Sequence, residues 1–294
     1  MNAISRSVTT SLICMGIALT SAAWAQTYRT VDYPGALDTS LNGGPNIEGD
    51  SVGSYDNTSG VLHGGFIYKR GRFIDVNVPG AGPSGTVPFW ITLQDDVLGA
   101  YYDDSGAQHG FILHDGHYRT LDFPGAASTQ LSGMNPQGEI SGEYCHDVDC
   151  NDFHSMIRTA RGQFIGFDPP GATLSWAATV NVAGAVVGVY FTPDNTMHGY
   201  LLFRGRFTPI DFPGATSTGA GANNAEGDIV GWYTDHQNLT HGYLLRNGQF
   251  HSFDFPGSIE TEGAGINSEG LIVGLYVDGA GHLHGFQRTP GREW

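Results

Sequence analysis

From Tyr28 onward the chain alternates short apolar runs with polar, glycine-rich breaks, and the alternation recurs with one period. A β-branched, apolar run ending in Gly-x-Tyr appears six times, at Gly53, Gly99, Gly142, Gly188, Gly231 and Gly274, as in Ile229-Val230-Gly231-Trp232-Tyr233. Each is followed by a polar loop and then a second apolar run that opens on a histidine: His63, His109, His154, His198, His241 and His284. A glycine-containing turn leads to a third run with period-two alternation, as in Phe207-Thr208-Pro209-Ile210-Asp211-Phe212, the signature of a pleated, part-buried strand. That run ends at Pro-Gly, with prolines at 34, 79, 124, 170, 213 and 256, spaced 45, 45, 46, 43 and 43 residues apart. Three independent markers share the period, so the chain is a repeat protein.

Each unit reads as four short strands. The first follows Pro-Gly, carries small residues and threonine (Thr261 to Ile266), and ends at an Asn-x-x-Gly turn: Asn46/Gly49, Asn135/Gly138, Asn181/Gly184, Asn224/Gly227 and Asn267/Gly270. Asparagine and glycine suit the left-handed backbone of such turns. The second unit departs, with Thr92 and Asp95 there. Four strands in roughly 40–45 residues is the period of a propeller blade. The ends are complementary. A lone fourth strand, Tyr28 to Pro34, precedes the first unit, and the last unit stops after its third strand, His284 to Gln287. The expected architecture is an all-β, six-bladed β-propeller with four-stranded blades over residues 26–294, closed by pairing the N-terminal strand into the last blade. An open solenoid has no use for that complementarity and would need caps.

Residues 1–25 read as a secretory signal peptide, with Arg6, an apolar run from Val8 to Leu19, and Ala23-Trp24-Ala25 as the cleavage site. The expected location is secreted or periplasmic, with no membrane insertion after cleavage. All 29 acidic residues but only 12 of the 13 basic ones follow that segment. So acidic a surface repels phosphate backbones and argues against nucleic acid; it suits cations, neutral glycans or basic partners. Two cysteines remain after cleavage, Cys145 and Cys150, and an even count in an exported chain suggests a disulfide.

The unit of Asn-x-x-Gly, Val-Gly-x-Tyr, a polar loop, His-Gly-Phe and Asp-Phe-Pro-Gly-Ala resembles the probable extracellular repeat, HAF family, of bacteria. The naming element matches at His109-Gly110-Phe111 and His284-Gly285-Phe286, with His-Gly-Tyr at His198 and His241; His63 and His154 depart from it. The resemblance covers nearly all of the chain after the leader. It implies export and repetition, and no reaction.

The six histidines, and the residues two before each Pro-Gly proline (Asp32, Asn77, Asp122, Asp168, Asp211, Asp254), read as scaffold contacts, because a scaffold contact recurs in every blade and a reaction needs its residues once. The tyrosines likewise read as packing. Function is sought where the symmetry breaks. The loop before the histidine should share one acidic rim with the Pro-Gly connections. Its candidates are Asp103, Asp235 and His236, with Asp147, Asp149 and Asp152 in or beside the Cys145–Cys150 loop. The last three could take Ca²⁺, although the spacing lacks an EF-hand and the plainer reading is a solvated acidic loop; no other cofactor is expected. Trp90 and Trp176 break the repeat near first strands, as sugar-stacking platforms at a channel mouth or as blade packing. No nucleophile elbow, phosphate loop or His-Glu-x-x-His occurs. The reading is an exported, monomeric, non-catalytic binding module for a glycan, cation or envelope protein. The alternatives are an extracellular polysaccharide hydrolase or lyase with its site at the channel mouth, and a purely structural envelope component.

Overall fold

The computed structural model describes residues 26–57, 62–147 and 150–291, apart from the side chains of Leu62 and His63. The expected leader, residues 1–25, and Asp149 lie outside the described residues. The described chain holds 24 strands and no helix. They form six four-stranded antiparallel sheets, five built from consecutive strands; the sheets are numbered as blades in chain order from the one that opens at Thr39. The sixth takes Glu260–Ile266, Ile272–Val277 and Leu283–Thr289 from the C-terminal end and Thr27–Val31 from the N-terminal end. Tyr28 pairs with Arg288 and Val31 with Gly285, so the expected closure holds: the two ends of the chain share one blade.

The core sits between blades, not within them. Each of six buried clusters joins neighbouring blades: Val230, Leu244 and Phe253 of blade 5 meet Ile266, Ile272 and Phe286 of blade 6, and Val31 and Val273 of blade 6 meet Leu41 and Phe66 of blade 1. Each sheet therefore needs both neighbours to cover its two apolar faces, and only a closed ring supplies them all. Arg288, 1% exposed, adds to the closing blade: its guanidinium donates to the Tyr28 hydroxyl (3.1 Å) and lies 4.8 Å from the Phe253 ring centre.

The Asn-x-x-Gly turns tie the blades together as well as reversing the chain. In Asn181 the side-chain Oδ1 accepts from the amides of Ala183 and Ala185, both at 3.0 Å, and Nδ2 donates to the Asn224 carbonyl of the next blade at 2.9 Å. The same inter-blade bond runs from Asn46 to Thr92, Asn135 to Asn181, Asn224 to Asn267 and Asn267 to Asn46. Thr92, which has no amide to donate, leaves the link from blade 2 to blade 3 unmade. Asp95 sits there with φ of 65°, where the other units place glycine.

The first strand of every blade lies innermost: Thr39–Gly43, Thr86–Ile91, Ser128–Met134, Leu174–Val180, Ser217–Asn223 and Glu260–Ile266. All six carry a bulge at the same place, which leaves Asn42, Phe89, Ser132, Ala178, Gly221 and Ala264 out of register with the second strand. A bulge re-aims the unpaired residue, and here it turns all six toward the axis.

Candidate functional site

The loops before the recurrent histidines pack beside the Pro-Gly connections, as expected: Gly82 donates to the Tyr102 carbonyl, Ala127 to Cys145 and Thr216 to Thr234. On this rim each described histidine of the repeat points Nδ1 at the carboxylate two before a Pro-Gly proline: His109 at Asp122 (2.9 Å), His154 at Asp168 (2.9 Å), His198 at Asp211 (2.8 Å), His241 at Asp254 (2.9 Å) and His284 at Asp32 (3.0 Å). The imidazole also lies against the tyrosine of Gly-x-Tyr, and Tyr144, Tyr233 and Tyr276 in turn stack on the aromatic before Pro-Gly; Phe212, Tyr233 and His241 form such a pile, with centres 3.6 and 5.1 Å apart. Burial pulls the His241 pKa down, but Asp254 and Asp235 outweigh it and the net shift is upward; His109 behaves alike between Asp122 and Asp103.

These contacts occupy much of the acidic rim. Asp103 Oδ1 accepts from the hydroxyl and amide of Ser105 and the amide of Ala107. Those bonds, with the Ser105 hydroxyl foremost, hold its pKa down at about 2. Asp235 caps the amides of Gln237 and Leu239 in the same manner and faces His241 Nε2 at 3.4 Å. His236 and Asp147 are exposed, Asp152 lies 3.8 Å from His154 Nε2, and Cys145 and Cys150 are joined by a disulfide with Cα atoms 5.4 Å apart. Among the described residues no group of three or more His, Cys, Asp and Glu side chains is arranged to hold a metal ion.

Trp90 and Trp176 lie elsewhere. Both line a cavity of about 220 Å³ in the axial channel, where all six bulged residues are found together with Gln130, Thr179, Trp232 and Glu262. The structure thus separates the candidates read from the sequence into a rim set and a channel set. Trp90 is also packed against the buried cluster of Leu98, Leu131, Ile140 and Met156, so it serves both blade packing and the channel wall. Trp232 projects from a second strand because the inner strand beside it lacks side chains: a Cβ on Gly219 would fall 2.5 Å from the indole, and one on Gly221 would fall 3.4 Å from it. Elsewhere on the wall Asn42 donates to Ser54 Oγ at 3.0 Å, and Ser40 Oγ donates to Asn42 Oδ1 at 2.6 Å.

Two carboxyls stand out, Glu262 in the channel lining and Glu143 outside it. Glu262 on the inner strand of blade 6 and Glu143 on the second strand of blade 3 are each pushed up to about 7 by loss of hydration. Neither makes a hydrogen bond or ion pair with a described residue. Away from the rim, a vestibule of about 530 Å³ abuts the channel, shares Trp90 with it, and is ringed by the Asn-x-x-Gly turns. Ile47, Leu93 and Val182 stand exposed around it.

Sequence reasoning missed Trp232, Glu262 and Gln130. The signal was the inner strand: small in most units, yet glutamate at 262 and glutamine at 130, and glycine at 219 and 221 facing the only tryptophan in a Gly-x-Tyr.

The fold and cavity define a six-bladed β-propeller with a ligand-sized axial channel. Its fold is similar to that of AofleA from Arthrobotrys oligospora (TM-score 0.53, 13% identity, 91% of this chain and 84% of that one). It is also similar to the Aleuria aurantia lectin in complex with α-methyl-L-fucoside (0.53, 11%, 88% and 93%) and to TolB from Acinetobacter baumannii (0.51, 11%, 82% and 60%). No family model matches the sequence, and no curated protein matches it.

Proposed function

We propose that the protein is an exported carbohydrate-binding module, akin to the HAF extracellular repeats, that holds its ligand in the axial channel. The observation that carries this reading is the gathering of Trp90, Trp176 and Trp232 with Gln130, Asn42 and Ser132 in one cavity. Indole faces cover the apolar face of a sugar ring, and short polar side chains meet its hydroxyls. These residues differ from blade to blade, whereas the rim contacts repeat. One protein of similar fold, the Aleuria aurantia lectin, is fucose-specific, which makes fucosides the first probes. The leader at residues 1–25 and the Cys145–Cys150 disulfide support export. A glycan array probed with residues 26–294, followed by calorimetry on each positive, tests the reading. Binding that Trp176→Ala and Trp232→Ala weaken supports it; glycan binding indifferent to both, yet lost in Asp147→Ala or His236→Ala, moves the site to the rim.

Glu262 favours a second reading, a polysaccharide hydrolase or lyase. A carboxyl pushed up to about 7 is about half protonated at neutrality and is suited to general-acid work. New reducing ends released from a polysaccharide, and abolished by Glu262→Gln, would favour that reading; intact polymer after prolonged incubation favours the binding module.

A further inference from the structure

We infer that the channel selects a protonated amine, and that its ligand is the amino-sugar end of a glycan, seated among Trp90, Trp176 and Trp232 with the ammonium on Glu262. The inference rests on the carbohydrate-binding reading and adds the class of sugar.

The charge inventory of the channel is one-sided. Among the described residues, Glu262 and Asp96 are the only ionisable groups lining the channel and its vestibule, and no Lys, Arg or His lines either. Asp96 is engaged by His114 Nδ1 at 2.6 Å. Glu262 makes no hydrogen bond or ion pair with a described residue, and the charge that acts on it, Glu260, is of its own sign.

A carboxylate so placed is costly to the fold, and the fold does not require it. The corresponding inner-strand position holds Ser40, Val87, Gln130, Trp176 and Gly219 in the other five blades. Five blades close without a carboxylate there. Its carboxyl is driven toward the neutral form by lost hydration, which a bound ammonium would reverse.

The indoles supply the second half of the recognition. Aromatic faces attract cations, tryptophan most strongly, and the attraction grows where water is excluded. An anionic sugar would find no cation among the lining residues and would be repelled by Glu262 and the ring faces. A neutral sugar would stack but leave Glu262 unmatched. An amino sugar offers a ring for the indoles, hydroxyls for Gln130, Asn42 and Ser132, and a cation for Glu262. The cavity of about 220 Å³ is below the roughly 300–1,000 Å³ of pockets that engulf drug-sized ligands. It fits one residue, with the vestibule left for the next.

The test is calorimetry of residues 26–294 at pH 6 with four probes: the β-1,4-linked glucosamine disaccharide, its di-N-acetylated form, cellobiose and propylammonium. The amine disaccharide is expected to bind tightest. Glu262→Gln should weaken it about ten- to a hundredfold, the worth of a charge-assisted hydrogen bond, and so remove its margin over cellobiose. Glu262→Asp, which keeps the charge, should retain selectivity for the amine and guards against a misfolded glutamine variant. Equal or tighter binding of cellobiose or the acetylated form overturns the amine selectivity while leaving the carbohydrate reading intact. Propylammonium binding as tightly as the disaccharide overturns the sugar assignment. No binding of any sugar, here or on the array, overturns both readings.

Discussion

The carboxyl of Glu262 and the imidazoles of the rim pull the stability of the protein toward acid. Glu262 has a folded pKa near 7 against an ordinary 4.5. Its contribution is full below 4.5 and is lost as pH rises through 7, a change on the order of 3 kcal/mol. Glu143, also near 7, acts in the same sense. His109 and His241 have pKa values raised above 6.5, so their charge contributes fully below 6.5 and that contribution is lost as pH climbs through the raised values. The loop aspartates Asp194, Asp235 and Asp278 are lowered by the hydroxyl and amide groups they accept from; they lose their contribution below 3.8. Thermal unfolding scanned from pH 3 to 9 should therefore show greatest stability in the mildly acidic range. Glu262→Gln should raise the melting temperature at pH 8 and leave it unchanged at pH 4. An optimum above pH 8, or an effect of Glu262→Gln at pH 4 equal to that at pH 8, would contradict this assignment. The His–Asp pairs were legible in the sequence because they recur in step with the proline. Glu262 was not, because a single glutamate in a run of small residues carries no period, and its meaning comes from where the bulge and the ring place it.

At the scale of the element, the asparagine turn has two duties that the sequence reveals unequally. Its role in chain reversal follows from Asn and Gly alone. Its bond to the next blade does not, since sequence spacing says nothing of how far apart two turns lie in space. Thr92 gives a direct check. Its Oγ1 accepts from Asp96 N at 3.1 Å, so it caps its own turn but makes no inter-blade bond. Thr92→Asn should complete the circle with the Asn135 carbonyl and stabilise the protein by about 1 kcal/mol. Asn181→Ala, which removes both the cap and the link, should cost about 1–3 kcal/mol, because buried amides and a carbonyl are left without partners. Chemical denaturation of the two variants measures both; a neutral Asn181→Ala would show that the link carries no stability. The sequence places Trp90 and Trp176 near the first strands, but nothing in the alternation says that one residue per strand slips out of register and faces the axis.

The whole molecule was the most legible scale. Complementary ends of a repeat specify a ring by counting strands, and the register of Thr27–Val31 on Leu283–Thr289 meets that expectation. Removing residues 26–33 should expose the open edge of the strand Leu283–Thr289 and leave buried Arg288 without the Tyr28 hydroxyl. The predicted result is loss of cooperative unfolding and association in solution, read by calorimetry and light scattering; a monomer with unchanged melting would contradict closure by that strand. The ring in turn creates the axial channel, where the inner strands of the blades differ in chemistry. Its tryptophans offer the most direct test of the central claim, that ligand binds in the channel. Trp90, Trp176 and Trp232 all line it. In residues 26–294 the fourth tryptophan is Trp294, which Trp294→Phe removes. Tryptophan emission of that variant, titrated with the glycan that binds it in calorimetry, should shift saturably with the calorimetric Kd. Full calorimetric binding with unaltered emission would place the ligand elsewhere and contradict the account.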